Sequence, residues 1–109
     1  MIVIATDAPL AHRELERLAE RAFAGIARTG SWMSHGSGDY AIAFSTHRGP
    51  LDAPGGELLS RLFVATAEAV EEAVVNSLFL ATTTVGYRGH RAEGLPIAEV
   101  LKVMERHAP

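Results

Sequence analysis

Two segments of this 109-residue sequence are apolar on every side, and they limit the folds that the chain can adopt. Residues Ile2–Thr6 form an unbroken, mainly β-branched run, which is typical of a strand covered on both faces of a sheet. Residues Val74–Leu80 end a long helical pattern and are apolar nearly all round, which predicts burial on most sides. Only one other strand is evident, and two strands alone rarely form a stable sheet. We therefore expect another polypeptide, or another copy of this chain, to complete the core.

Hydrophobic spacing and turn residues predict the order of the elements. They are a strand over Ile2–Thr6, a helix after Asp7–Leu10 that Gly30 ends, a strand over Tyr40–Ser45, a surface loop over Thr46–Gly56, a helix over Glu57 to about Ala81, a polar loop over Thr82–Gly94 and a short helix from Pro96. This order indicates a single α/β domain or subunit over residues 1–109, with two strands and three helices.

The composition argues against several classes of function. The net charge of −3 gives no basic surface for a nucleic acid, and the absence of cysteine excludes thiolate metal sites and a cysteine nucleophile. The five histidines show no metal-ligand spacing, so we expect neither a metal nor a cofactor. No segment resembles a signal peptide or reaches transmembrane length, which predicts a cytoplasmic location without membrane contact.

The chemically most unusual segment runs from Ser34 to Asp39. Gly36 and Gly38 allow positive φ and a close approach of another group, and their spacing lets the Ser37 hydroxyl and the Asp39 carboxylate share one neighbourhood. A plain turn before a strand, with Asp39 capping local N–H groups, explains the same residues. A Ser37–His35–Asp39 triad is disfavoured, because residues so close along an extended loop seldom converge in that geometry.

An ordered set of segments covering nearly the whole chain resembles the β-subunit of the DmpA family, which comprises L-aminopeptidase/D-amidase-esterases and β-aminopeptidases. The segments are residues 2–10 (IVIATDAPL), 27–31 (ARTGS), 35–39 (HGSGD), 43–46 (AFST) and 71–78 (EEAVVNSL). The resemblance implies a precursor that cleaves itself into a larger α chain and a β chain. The N-terminal serine of that β chain is the nucleophile of an Ntn-hydrolase-like αββα sandwich, and the αβ units assemble into oligomers.

The same resemblance implies roles for individual residues. Ser37 and Asp39 match the Gly-Ser-Gly-acidic motif and are expected to assist the nucleophile. Independently of the resemblance, the glycine-rich loop makes Gly36, Gly38 and His35 the expected substrate contacts. The implied substrates are short peptides, amino-acid amides or esters. The partner is the α chain of the same precursor or another copy of the β chain.

The chain also departs from the family pattern. The nucleophilic serine is expected about two positions before Met1, where this sequence has no residue, so the isolated chain is expected to be inactive. Many members have Gly-Arg-Asp-Gly-His where residues 86–90 are Gly-Tyr-Arg-Gly-His. A non-catalytic, self-associating interaction domain derived from the same fold stays open as an alternative. An ornithine acetyltransferase is disfavoured, because nothing in residues 5–9 supports an acetyl-glutamate site.

Overall fold

A computed structural model describes residues 1–51 and 55–107, and the chain divides into two compact units, Met1–Ala73 and Val74–Pro109. In chain order the elements are β1 (Ile2–Thr6), α1 (His12–Arg28), β2 (Ala41–Ser45), α2 (Gly56–Leu80), β3 (Thr84–Val85), a 3₁₀ turn (Tyr87–Gly89), β4 (Arg91–Ala92) and α3 (Ile97–His107). The predicted strands and helices are confirmed to within a few residues at their ends. Residues 52–54 of the predicted loop Thr46–Gly56 lie outside the described residues.

The first unit begins with a β–α–β arrangement. Strands β1 and β2 are parallel and pair from Ile2 opposite Ala41 to Thr6 opposite Ser45. Helix α1 connects them and packs mainly against β2, and it ends as predicted, because Gly30 adopts a φ of +91° directly after the last turn. The N-terminal ends of both strands therefore lie at one edge of the sheet, and their C-terminal ends lie at the other.

The hydrophobic core of this unit lies between the strands and the two long helices. Leu10, Leu18 and Leu59 are almost fully buried there. The partly buried residues packed against them are Ile4, Ala8, Leu15, Ala43, Leu62 and Phe63. Each strand therefore contributes the alternate side chains that point toward the helices, as expected for a sheet with a period of two residues.

Helices α1 and α2 approach each other closely at Gly25. A Cβ atom added at Gly25 would lie 2.5 Å from the carbonyl oxygen of Ala67 and 2.7 Å from the Cβ of Val70. The guanidinium carbons of Arg17 and Arg21 lie 5.0 and 4.5 Å from the centre of the Phe63 ring, within the range of cation–π attraction. The absence of a side chain at Gly25 is thus what lets the two backbones meet.

One face of the β1–β2 sheet is open, so this chain by itself covers β1 on one face only. Val3 is 60% exposed, and its partner Ile42 is 55% exposed. Phe44, next along the same face, is 44% exposed. Among residues 1–51 and 55–107 the helices cover only the opposite face, so any cover on this face has to come from outside the described chain, in line with the expectation that another polypeptide completes the core.

The second unit starts with the last turns of α2, and this chain by itself leaves much of their apolar surface exposed. Val75, Asn76, Leu78 and Leu80 are exposed, although the sequence predicts burial on most sides of this segment. Val75 is 41% exposed, Leu78 51% and Leu80 80%, so the described part of the second unit leaves much of this surface uncovered. The second unit by itself therefore does not bury the apolar side chains at the end of α2.

The predicted polar loop Thr82–Gly94 contains a short hairpin that sequence patterns did not indicate. Strands β3 and β4 are antiparallel, with Thr84 opposite Ala92 and Val85 opposite Arg91. The Gly86 N–H donates to the carbonyl of His90 at 2.7 Å. Helix α3 follows and has no buried residue. In the described residues no helix combines the length and the apolar character that crossing a membrane requires.

Candidate active site

The loop that carries the Gly-Ser-Gly-Asp segment lies at the edge of the sheet where both parallel strands begin. The Ile2 N–H donates to the carbonyl of Tyr40 at 2.8 Å, so the first residue of β1 is bonded to the residue that precedes β2. Parallel pairing produces this arrangement, since it brings the N-terminal ends of two strands together. Ser37 and Asp39 therefore lie next to the start of β1, although they are far from it in sequence.

A tight turn holds Ser37 in place. The Ser37 N–H donates to the carbonyl of Ser34 at 2.8 Å, which leaves His35 and Gly36 at the two central, exposed positions. The Ser37 hydroxyl donates to the Oδ2 atom of Asp39. Ser37 is exposed and Asp39 is half-buried. The sequence interpretation that hydroxyl and carboxylate share one neighbourhood agrees with this hydrogen bond.

The hydrogen bond has a direct chemical consequence. Because the Ser37 proton is directed to Asp39, the remaining lone pairs of the Ser37 oxygen accept hydrogen bonds from other groups. The carboxylate adds a negative charge and a second acceptor oxygen. The pair is thus suited to an incoming hydroxyl or ammonium group. The bond runs directly from Ser37 to Asp39 and not through His35, so the described geometry is not that of a Ser-His-Asp triad.

The two glycines beside Ser37 do not use the positive φ that the sequence led us to expect. Positive φ occurs at Gly30, Gly49 and Gly89 but at neither Gly36 nor Gly38. A Cβ added at Gly36 would meet nothing within 4 Å, and one added at Gly38 would meet only Cε2 of Tyr40, at 3.5 Å. The space beside Gly36 is therefore open to an approaching group.

Sequence reasoning did not single out Tyr40. Its side chain is 68% exposed. The edge of its ring lies at van der Waals distance from the position that a Cβ of Gly38 would occupy. The alternation Tyr-Ala-Ile-Ala-Phe-Ser over residues 40–45 contained the signal, because it places Tyr40 on the same side of the chain as Ile42 and Phe44.

The histidines of the described residues do not form part of a metal site. Among residues 1–51 and 55–107 there is no group of three or more histidine, aspartate or glutamate side chains with suitable geometry. His12 lies 3.5 Å from Glu16 one turn along α1, where both side chains are exposed. In the second unit, Arg88 and Gly89 have φ values of 56° and 76° and form the tip of the hairpin.

Comparison with known proteins agrees with the fold. The protein of Pyrococcus horikoshii OT3 called PH0078 superposes with a TM-score of 0.86 and 45% identity, covering 99% of this chain and 33% of that one. The L-aminopeptidase D-Ala-esterase/amidase of Ochrobactrum anthropi, described as a variant of the Ntn hydrolase fold, superposes with a TM-score of 0.80 and 32% identity over 97% of this chain and 33% of that one. The chain thus has the architecture of part of an Ntn-hydrolase-like αββα sandwich, as the sequence predicted.

The family follows from the sequence match. Residues 1–92 match the model of peptidase family S58, and the β-peptidyl aminopeptidase BapA of Sphingosinicella microcystinivorans is 38% identical over 117 residues. This chain therefore belongs to peptidase family S58, which confirms the resemblance to the DmpA-type aminopeptidases. The match covers 98% of this chain and 30% of BapA, so the chain spans about a third of the length of the relatives it matches.

Proposed function

We propose that this chain is the C-terminal (β) portion of an aminopeptidase or amidase with an N-terminal serine nucleophile. The intact protein removes N-terminal residues from short peptides, amino-acid amides or esters. The observation that supports this most directly is the Ser37–Asp39 hydrogen bond at the edge where β1 begins. Residues 1–109 then form one domain or subunit of a larger αββα enzyme.

The strand register supports a nucleophile upstream of Met1. Ile2 pairs with Ala41, so a strand continued backward brings Met1 opposite Tyr40 and the preceding position opposite Asp39. A serine about two positions before Met1 then faces Gly38, between Ser37 and Asp39. Its hydroxyl and its amine are both within the neighbourhood of the acceptor pair.

The proposed reaction is an acyl transfer in two stages. The hydroxyl oxygen of the upstream serine adds to the substrate carbonyl carbon, and its own α-amino group, with a usual pKa of about 8, takes the proton. The tetrahedral intermediate expels the amine or alcohol, which receives that proton. Water then adds to the acyl-enzyme ester, and collapse of the second intermediate releases the acid and restores the serine hydroxyl.

Residues of this chain assist both stages. The Ser37 oxygen accepts a hydrogen bond from the nucleophile's hydroxyl or ammonium group, and Asp39 orients Ser37 and balances the ammonium charge. The open space beside Gly36 gives the substrate room. We assign substrate contacts to Gly36 and to Gly38 and His35, which are exposed in the same loop.

The open face of the β1–β2 sheet supports a partner chain. We assign this face to the α chain, produced from the same precursor by self-cleavage just before the nucleophilic serine, and we expect the αβ units to form an oligomer. A second sheet over Val3, Ile42 and Phe44 would remove their apolar surface from water. The cytoplasmic location stays a prediction.

The test uses the full-length protein with Ser37→Ala and Asp39→Asn. Each variant is expected to lower the turnover of an amino-acid amide, or the self-cleavage of the precursor, by at least roughly tenfold, because the nucleophile loses its acceptor or its compensating charge. Circular dichroism and thermal melting should stay at the wild-type values, since both side chains lie outside the core.

Ser34→Ala is the matched control. Ser34 contributes its main-chain carbonyl to the turn, so its alanine variant keeps the turn and should keep wild-type activity. Wild-type turnover and wild-type self-cleavage in both Ser37→Ala and Asp39→Asn would refute the assignment.

A non-catalytic interaction domain is the second candidate, and the exposed row Val3, Ile42 and Phe44 favours it. Intact-mass spectrometry of the protein isolated from its own cells separates the two. A chain extended ahead of Met1 to a free N-terminal serine, with a larger companion, supports the enzyme. A self-associated chain that begins at Met1 and has no companion supports the interaction domain.

A further inference from the structure

Tyr40 combines three properties that no other large side chain near the Ser34–Asp39 loop shares in the described structure. It follows Asp39 directly, its carbonyl accepts the hydrogen bond from the Ile2 N–H, and its side chain is 68% exposed. Its main chain is thus fixed at the edge where β1 begins, while its ring has no covering residue in the described chain.

The ring position is set by Gly38. Cε2 of Tyr40 lies 3.5 Å from the point that a Cβ of Gly38 would occupy, so the ring edge extends back over the glycine. Residues 40, 42 and 44 share one face of β2 by strand alternation. Tyr40 is therefore the end of the apolar row Phe44, Ile42, Tyr40, at the point where that row reaches the acceptor pair.

We propose that Tyr40 forms an apolar wall that contacts the side chain of the substrate residue whose carbonyl is attacked. The inference rests on the proposed function. That residue stays covalently bound in the acyl-enzyme, so its side chain remains beside the nucleophile, and hence beside Gly38, in both stages. An aromatic ring offers a large rigid apolar surface at low entropic cost, and its hydroxyl end remains hydrated. Tyr40 is then a specificity residue for bulky apolar acyl groups.

The test compares kcat/KM of the full-length protein for p-nitroanilides of glycine, alanine and leucine, each as α- and β-amino acid where one exists. Tyr40→Ala is expected to lower kcat/KM for the leucine substrates by about tenfold and for the glycine substrates by less than about twofold, as for the loss of one apolar pocket contact. Tyr40→Phe keeps the ring and should keep the wild-type ratio.

Ile42→Ala is the matched control, since Ile42 lies in the same apolar row but two residues farther from the Ser37–Asp39 loop. It should change thermal stability without changing the ratio of leucine to glycine turnover. An unchanged ratio in Tyr40→Ala, or an equal loss on every substrate together with a lower melting temperature, would overturn the inference and leave the proposed function intact. No hydrolysis of any substrate by the self-processed wild-type protein would overturn both.

Discussion

Three glycines of this chain differ in what fixes their identity. Gly25 is limited by space, because an added Cβ would overlap the main chain of α2. Gly30 is limited by conformation, because its φ of +91° lies in the region that L-residues rarely adopt, although the space around it is empty. Gly36 is limited by neither. The sequence shows three identical letters, whereas the structure predicts three different responses to substitution.

We expect Gly25→Ala to destabilise the full-length protein by about 1–3 kcal/mol, because α1 and α2 must move apart to admit the methyl group. Gly30→Ala is expected to cost about 1 kcal/mol through backbone strain alone. Chemical denaturation followed by circular dichroism measures both values.

Gly36→Ala is the control for these two substitutions. It should leave stability unchanged or raise it by up to about 1 kcal/mol, because alanine narrows the unfolded ensemble where the native conformation accepts it. Equal losses for Gly25→Ala and Gly36→Ala would show that the close helix crossing is not what determines the residue at position 25.

At the scale of elements, helices α1 and α2 are joined by two kinds of interaction that involve charged side chains, cation–π contacts and an ion pair. Arg17 and Arg21 both lie over the ring of Phe63, which also packs against the core. Arg28 and Glu71 form an exposed ion pair at 3.3 Å. A half-buried aromatic ring under two guanidinium groups is expected to contribute more than an ion pair that water and salt screen.

We therefore expect Phe63→Leu to destabilise the full-length protein by about 1 kcal/mol, since it keeps most of the apolar volume but removes both cation–π contacts. Arg28→Ala should change stability by no more than about 0.5 kcal/mol. Thermal unfolding of the two variants beside the wild type provides the comparison. A larger loss in Arg28→Ala than in Phe63→Leu would contradict this ranking.

The elements that sequence patterns predicted are those whose signal is local. The three- and four-residue spacing from Leu15 to Ile26 and the glycine at position 30 defined α1, and the alternation over 40–45 defined β2. The hairpin β3–β4 was missed because each strand has two residues, too few to show a period. The apolar character of β1 and of the end of α2 indicated that both should be covered, but the pattern does not contain what lies opposite them, and the described chain leaves both partly exposed.

At the scale of the whole molecule, the candidate site was predictable only in part. The spacing of Ser37 and Asp39 suggested their proximity, and the structure shows their hydrogen bond. Their place beside the start of β1 results from parallel pairing between residues about 40 positions apart, and no local pattern reports such a register. Tyr40 was missed for the same reason, since its significance comes from its neighbours in space.

The open sheet face gives a prediction for the isolated chain. We expect the purified 109-residue chain to self-associate and to bind a hydrophobic dye, because Val3, Ile42 and Phe44 form a contiguous apolar row without a cover in the described residues. Ile42→Glu should reduce both effects, as measured by sedimentation velocity and dye fluorescence.

Ala24→Glu, which adds the same charge at an exposed position of α1, is the control and should leave association unchanged. If Ile42→Glu and Ala24→Glu associate to the same degree as the wild type, association uses another surface.

The hydrogen bond from the Ile2 N–H to the Tyr40 carbonyl has one more consequence. The main chain of a flexible loop can adjust its dihedral angles continuously until a side chain meets its partners. In a paired strand, each added residue moves the next side chain by about 3.3 Å and places it on the opposite face of the sheet. Any group placed ahead of β1 is therefore governed by an even–odd rule. One inserted residue moves that group to the other face of the sheet, so the number of residues ahead of β1, and not only their identity, decides which face it presents.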